Sequence, residues 1–599
     1  MVKFPENTKI GLEVHLQVNA GKLFCGCEGE GMDRERSFQR TLHSSSGETG
    51  SSDISTMYEE SRNRTFKYIV STNSCLVEAD EEPPHKINEM ALNASLMMAR
   101  AFNSEILDRV VVMRKVVIDG SNTGGFQRTS LIAMGGEIKG DTYSSKISAI
   151  CLEEDACRKI EERGNEVVYS LDRLGVPLIE ISTEPDIKNP EGAVEIAREI
   201  GNRLLSAGLL KKGADSIRQD VNFSMGYGRV EIKGVSKLTT IPDILEREME
   251  RQKSLAEAVG IWKERGGTEN VIFEANNAIL NGTGSRLILK SVENGKDILL
   301  SILKNGRGLL KNGNFRIGRE IADALKQIGI TGILHYDELP AYGITQEEKD
   351  RIANYLNLGE GDSFLILLEE SAEKERAERV INDRISKIMS LNFSETRAAM
   401  DDFSTRYMRP LSGSSRMYPE TDISVIEINE SRLREIEGRV PLRLEEMVEK
   451  ISREYSISKQ DASTLIWNGM TEIFMRLSEK YDSRAICREL VQKLPDAERK
   501  KNVKIPAEYV EDTLNYCIEK NYGRYSMERA IDLLSEGKLP EEIKSEENLK
   551  PLDENEIIEA LKNIKDTKNI SLVAKQITEM KGRPVDTSII ARLVKVEKR

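Results

Sequence analysis

The chain reads as a multidomain α+β protein, and three observations lead there. At 599 residues it is far longer than a single hydrophobic core supports, since one core stops growing at roughly 250–300 residues. Its first part, to about residue 275, alternates apolar and polar side chains with a period of two, interrupted by isolated helical stretches. From about residue 436 that alternation gives way to the spacing of packed helices.

Residues 9–18 place Ile10, Leu12, Val14, Leu16 and Val18 on one side and Gly11, Glu13, His15 and Gln17 on the other, as a half-buried strand does. A strand is expected at 110–118, followed by a loop at 119–128 rich in Gly and hydroxyl residues. Residues 176–182 alternate again, and a helix follows them. Asn189 caps it, Pro190 sits in its first turn, Ala193, Ile196, Ala197, Ile200 and Leu204 form its apolar stripe, and Gly208 closes it. Two more strands fall at 217–224 and 229–233. Between about 274 and 406, charged helical segments alternate with short strands such as 363–368, the texture of an inserted module. Residues 436–545 read as helices with a polar linker at 495–501, and a charged linker at 545–556 leads to a small helical tail.

Composition narrows the class. Hydrophobic residues make up 39% and charged residues 31%, and no apolar run approaches the roughly 18 residues of a membrane span. The opening MVKFPENTKI lacks the apolar centre of a signal peptide. Seven cysteines in so long a chain fit reduced thiols of a cytoplasmic protein rather than a disulfide framework. Cys25 and Cys27, with Cys75 distant in sequence, match the four-ligand spacing of structural zinc poorly and are read as incidental thiols. A net charge of −13 weighs against nucleic-acid binding by the molecule as a whole, but local patches decide that question. From residue 571 onward Lys575, Lys581, Arg583, Arg592, Lys595, Lys598 and Arg599 outnumber Glu579, Asp586 and Glu597. A solvated basic tail accounts for this equally well.

The chemistry is expected on strands that carry ionisable residues along one face. Glu13 and His15 share a face because they are two apart, and so do Glu180 and Ser182. Arg218, Asp220, Asn222 and Ser224 line one side of 217–224, and Arg229, Glu231 and Lys233 alternate with Val230 and Ile232. Glu153, Glu154 and Asp155 add carboxylates. If these strands share a sheet, they make a carboxylate-rich basin suited to a hard divalent cation such as Mg²⁺; the plainer reading is the wet face of an antiparallel sheet. The loop at 119–128 could cradle phosphate with its backbone N–H groups or be a surface turn. It is not a P-loop, because no Gly-Lys-Ser/Thr follows. Ser44, Ser45, Ser46 and Gly47 lack a recognisable base and read as a flexible loop rather than an amidase nucleophile.

Four segments in order resemble the GatB/GatE family: Ile10-Gly-Leu-Glu-Val-His-Leu16, Leu152-Glu-Glu-Asp-Ala156, Pro177-Leu-Ile-Glu-Ile181 with Glu184-Pro-Asp-Ile187, and Met417-Tyr-Pro-Glu-Thr-Asp-Ile423. The loop at 119–128 and the module before Met417 point to the archaeal, E-type side of that family. Gly318-Arg-Glu-Ile321 and His335-Tyr-Asp-Glu-Leu-Pro340 look like its insertion shared with bacterial-type aspartyl-tRNA synthetases.

The resemblance implies a mainly antiparallel β cradle at 1–275 and 406–435, an inserted aspartyl-tRNA synthetase-like module at 276–405, a helical domain at 436–545 and a tRNA-binding tail at 546–599. It implies conversion of Glu-tRNA(Gln) to Gln-tRNA(Gln): ATP phosphorylates the tRNA-bound glutamate, and ammonia displaces the phosphate. His15, Glu154 and Glu180 fall where the family holds its metal, with Glu13 beside them. Lys115, Asn122, Gln127 and Arg128 are expected at the nucleotide or acyl group, and Arg218, Asp220, Asn222, Glu231 and Lys233 complete the basin. Mg²⁺ and ATP are the implied cofactor and co-substrate. The implied partner is a GatD-like, asparaginase-type subunit in a heterotetramer with two copies of each chain. The competing expectations are a non-catalytic tRNA-recruiting subunit and a GatB-type subunit working with an amidase.

Overall fold

The alternation at residues 9–18 becomes a strand, β1 (Lys9–Gln17), whose Ile10, Leu12, Val14 and Leu16 are completely buried, each stabilising the fold by roughly 1.5–3 kcal/mol. In this computed structural model, which describes residues 3–46, 50, 52–211, 213, 216–413, 416–564 and 569–597, β1 lies in the middle of a large sheet. The others on its path are β2 (Val112–Val116), β3 (Phe126–Met134), β4 (Ser144–Glu154), β5 (Pro177–Thr183), β6 (Ile217–Ser224), β7 (Val230–Val235), β8 (Glu395–Ala399), β9 (Thr405–Pro410) and β10 (Met417–Pro419). Their spatial order is β9-β8-β7-β6-β1-β5-β4-β3-β2-β10, with two short strands joining at the side. Every pair on this path is antiparallel except β7 with β8. A helix at Glu89–Ala101 packs its buried Leu92, Leu96 and Met98 against β3 and β4. The chain is thus mixed α/β and multidomain.

A second sheet of four strands, with Asp33–Arg40 at one edge and Arg158–Arg163 at the other, closes over Phe66, Tyr68, Val167 and Tyr169. A third, within residues 274–369, has its own core of Ile288, Ile298, Leu300, Ile352, Phe364 and Ile366. By contact the chain divides into two compact units, Met1–Gly201 with Leu209–Pro441 and Asn202–Gly208 with Leu442–Arg599. The second unit is helical and holds two cores. One is built on Leu465, Phe474, Leu514 and Ile531, the other on Ile557, Val573, Ile577 and Ile590. Among the described residues no helix is long and apolar enough to cross a membrane.

Several expectations shift. The stretch 495–501 is a helix, Leu494–Lys501, not a linker; it continues the helical run that starts at Ser483, and Pro495 falls just after the π-helical turn Glu489–Lys493, where the regular hydrogen-bond ladder is already interrupted. The expected strand at 110–118 is broken into Arg109–Val110 and β2. The expected loop at 119–128 ends earlier, because Phe126 already belongs to β3. Residues 395–399 lay inside the expected module, yet β8 hydrogen-bonds β7 in the large sheet. Local charge set that expectation, whereas strand pairing is decided by distant chain.

The basic tail also changes character. Arg583 pairs with Glu556 (2.7 Å), Arg592 with Glu554 (2.6 Å), Lys581 with Glu559 (3.1 Å) and Lys575 with Glu579 (3.9 Å). Acids from the preceding helix, Glu554–Leu561, fold back onto bases that looked unopposed in sequence. Lys598 and Arg599 lie outside the described residues, as do the side chains of Lys595 and Glu597.

Candidate active site

Register decides which side chains meet. On β1, His15 stands opposite Glu180 of β5 and Arg218 of β6, while Glu13 stands opposite Ser182 and Asp220. On β4, Glu153 stands opposite Leu178 of β5 and Thr129 of β3. Directly opposed residues in a sheet share a face, so Glu153 lies on the face of Glu180 and His15. Glu154 points the other way.

The structure therefore corrects the expected trio. His15, Glu153 and Glu180 each offer a ligand atom within 4.8 Å of the others, with His15 Nε2 3.3 Å from Glu180 Oε2. Glu154 instead joins a buried cluster on the reverse face. It accepts from the Arg128 backbone N–H (3.2 Å) and lies 3.4 Å from the Arg128 guanidinium. Arg128 Nε in turn donates to Glu420 (2.9 Å), which Arg114 grips with two bonds. Neither Glu154 nor Arg128 lines the cavity described next. The resemblance pointed to Glu154, whereas the two-residue period of the strand puts Glu153 on the face of Glu180.

Glu153 is firmly placed. Lys115 Nζ donates to it at 2.6 Å, Thr129 Oγ1 at 2.7 Å and Gln127 Nε2 at 3.1 Å. Lys115 on β2 and Gln127 on β3 both line the cavity described below, Gln127 from a strand where a loop was expected. Asn222 donates to Glu13 (3.0 Å) at the margin. Lys233 Nζ lies 2.6 Å from both Asp220 and Glu231, while Arg218 pairs with Asp155 (2.7 Å). Asn122 is not brought in: it is buried in the turn before β3, where its amide donates to Ser121 Oγ (3.3 Å). Two of that turn's N–H groups are used internally, Ser121 to Asp119 and Gly125 to the Asn122 carbonyl. Ser44 donates to Glu60 and has no nucleophile's geometry; Gly47 lies outside the described residues.

These residues open into a cavity of about 880 Å³ lined by Glu13, His15, Glu153, Glu180, Asp220 and Glu231. Its other walls are cationic. Arg62, Arg64, Arg406, Arg409 and Arg416 all line it, and none was singled out from sequence. They come from three separate segments, which sequence spacing alone does not join.

The electrostatics follow from burial. Burial disfavours charge on His15, but the Glu180 hydrogen bond and the charges of Glu180, Asp220 and Glu153 prevail and lift its pKa to about 9. Burial raises Glu180, yet His15 and Lys115 outweigh it and hold the carboxyl well below its ordinary range. Burial and the charge of Glu180 push Glu13 up. Burial and neighbouring Arg409 hold the Arg416 guanidinium below its ordinary value. A site with clustered carboxylates on one side and crowded cations on the other suits a cation and an anion bound together.

One sheet face thus gathers an imidazole, carboxylates and cations into a single cavity. The chain belongs to the GatB/GatE family: the model of the GatB/GatE catalytic domain matches residues 8–434. It is 44% identical over 562 residues to the glutamyl-tRNA(Gln) amidotransferase E subunit of Thermoplasma acidophilum, covering 93% of each chain. It is also 44% identical over 565 residues to the protein of that name from Thermoplasma volcanium, covering 93% of this chain and 94% of the other. To the one from Saccharolobus solfataricus it is 37% identical over 621 aligned positions, covering 98% and 97%.

Proposed function

We propose that this chain activates glutamate esterified to tRNA(Gln) by phosphorylating its side-chain carboxylate with ATP, and then lets ammonia displace the phosphate to leave Gln-tRNA(Gln). The observation that carries this reading is the His15–Glu153–Glu180 cluster beside an arginine-lined wall, in a chain whose relatives bear an amidotransferase name.

A carboxylate resists amine attack because oxide is a poor leaving group; phosphate is a good one. Phosphoryl transfer needs positioning and charge neutralisation more than covalent help from the protein. The imidazole of His15 and the carboxylates of Glu153 and Glu180 would hold Mg²⁺, which would supply neutralisation of the charge that develops on the transferred group. Lys115, Gln127 and Thr129 hold Glu153 in place, and Arg409 and Arg416 attract the anionic phosphates. His15 is kept beside Glu180 by their hydrogen bond.

The reading extends to assembly. Ammonia comes from a GatD-like, asparaginase-type partner in a cytoplasmic heterotetramer, and the relatives' naming as subunits supports a heteromeric complex. The large sheet is the cradle, the sheet within 274–369 the aspartyl-tRNA synthetase-like insertion, and the helical unit, with its tail from 546, the tRNA-holding part.

The test incubates the purified chain with Glu-tRNA(Gln), ATP, Mg²⁺ and ammonium and measures glutamine on the tRNA. Gln-tRNA formed without any partner is the expected result. Tight binding of Glu-tRNA(Gln) with no ATP turnover would leave only a recruiting role and overturn the proposal.

A further inference from the structure

Two arginines of the cavity wall belong to one connection between strands. Arg409 lies near the end of β9 and Arg416 just ahead of β10, and both line the cavity, as does Ser412 between them. Among the described residues neither arginine pairs with a carboxylate, although Arg416 feels the charges of Arg409, Asp53, Glu231 and Glu153. Neighbouring guanidiniums repel, so the connection has to be held from outside.

Asp53 holds it. This residue is buried, with 3% exposure. Its Oδ1 accepts the Ser55 backbone N–H (2.9 Å) and caps the helix Ile54–Glu60. Its Oδ2 accepts the N–H of Gly413 (2.6 Å), 360 residues away. A chain of hydroxyls reaches the same carboxylate. Arg409 Nη1 donates to Ser412 Oγ (3.3 Å), Ser412 Oγ lies 3.0 Å from Ser55 Oγ, and Ser55 Oγ donates to Asp53. With Arg409 on its acceptor side, Ser412 turns its proton to Ser55. Every bond then runs from cation toward carboxylate, and aligned bonds strengthen one another. Burial disfavours charge on Asp53, yet the bonds from Ser55 and Gly413 prevail and keep its pKa below the ordinary carboxylate value.

We propose that Asp53 is a positioning residue that holds Arg409 and Arg416 together as a clamp for the phosphates of a nucleotide, which rests on reading the cavity as an ATP site. A cap alone does not call for aspartate, because serine caps a helix as well with a single oxygen. The second oxygen is the one that reaches across. The fold brings two like charges together before the anion arrives, and the anion relieves their repulsion on binding.

Two variants of the full chain test this. Asp53→Ser keeps the cap and removes the bond to Gly413; Ser412→Ala cuts only the link to Arg409. Calorimetry measures binding of inorganic tripolyphosphate, and steady-state Gln-tRNA formation with ammonium gives kcat and KM. Asp53→Ser should raise both the tripolyphosphate Kd and the KM for ATP roughly tenfold, the scale of one lost charge-assisted bond. The kcat and the KM for Glu-tRNA(Gln) should stay within about twofold, the pattern of lost ground-state binding. Ser412→Ala should raise the same two constants about threefold, and it decides the matter if Asp53→Ser fails to fold. In a chain already carrying Arg409→Ala and Arg416→Ala, Asp53→Ser should add less than about twofold, since its effect passes through those side chains. A full further loss in that background, or constants that neither variant moves, overturns the clamp and leaves the proposed reaction standing. Wild type that turns over no ATP, yet loses tripolyphosphate affinity with Asp53→Ser, overturns the reaction and supports the clamp.

Discussion

Glu153 and Glu154 are neighbours in sequence with opposite surroundings, and this makes them the most informative residues to exchange. Glu153 meets His15 and Glu180 at the cavity; Glu154 meets Arg128 behind the sheet. Glu153→Gln keeps the shape and the Lys115 and Thr129 contacts but removes a charge from the proposed cation site. Its ATP-dependent activity should fall at least about a hundredfold, the scale of losing one preorganised electrostatic group, with little change in melting temperature. Glu154→Gln leaves Arg128 paired to Glu420 alone, so it should cost about 1–3 kcal/mol of stability and retain activity at permissive temperature. Comparing thermal melts with Gln-tRNA formation separates the two. The reverse pattern would move the proposed cation site to Glu154.

At the scale of elements, the helical unit contains a polar defect that makes a pH prediction. Glu489 opens a π-helical turn, Glu489–Lys493, between the helices Ser483–Arg488 and Leu494–Lys501. It is completely buried, and neither carboxylate oxygen has a hydrogen-bond partner among the described residues. Arg524 Nε is 3.8 Å away, and Glu528, Asp532 and Lys493 also face it. Burial, then the charge of Glu528, raises its pKa from 4.5 to about 8. The folded state therefore holds a proton that the unfolded chain has released. Stability falls as pH rises from about 4.5 to about 8 and is flat above that. Glu489→Gln should remove this slope, matching wild type near pH 4.5 and exceeding it by a few kcal/mol near pH 8. Urea unfolding of both proteins at the two pH values checks it; a variant no more stable than wild type at the higher pH would show that Glu489 is ionised and compensated.

Arg384 and Arg397 converge on Glu320 and Glu395, tying the helices Ile317–Gln327 and Lys374–Met389 to β8. Glu320 belongs to the segment 318–321 singled out for its family likeness, and its role in this structure is to join elements.

For the molecule as a whole, the separate core of the tail and its internal ion pairs set an expectation for truncation. A chain ending at residue 545 should melt like the full protein, because the neighbouring core built on Leu465 and Ile531 stays intact apart from Leu549. If the tail holds tRNA, affinity should drop. Because its bases are already paired with acids, the slope of log K against log salt should change by less than about two, corresponding to few released counterions. Filter binding over a salt series measures both. A large change in slope would mean those pairs open toward phosphate.

Sequence alone determined the strands near residues 9–18, 176–182, 217–224 and 229–233, that Glu13, His15, Glu180, Asp220 and Glu231 share one kind of face, and that helices take over after about residue 436. Periodicity of side chains along one segment is a local property, and the motifs that carry the family likeness are local too. What remained for the tertiary structure was partnership. It chose Glu153 over Glu154, moved β8 from the expected module into the large sheet, and brought in arginines from three distant segments. It also folded acids back onto the tail. Each of these depends on register or on close approach between residues far apart in sequence. Register is fixed by the burial of whole strands against one another, which no single segment encodes.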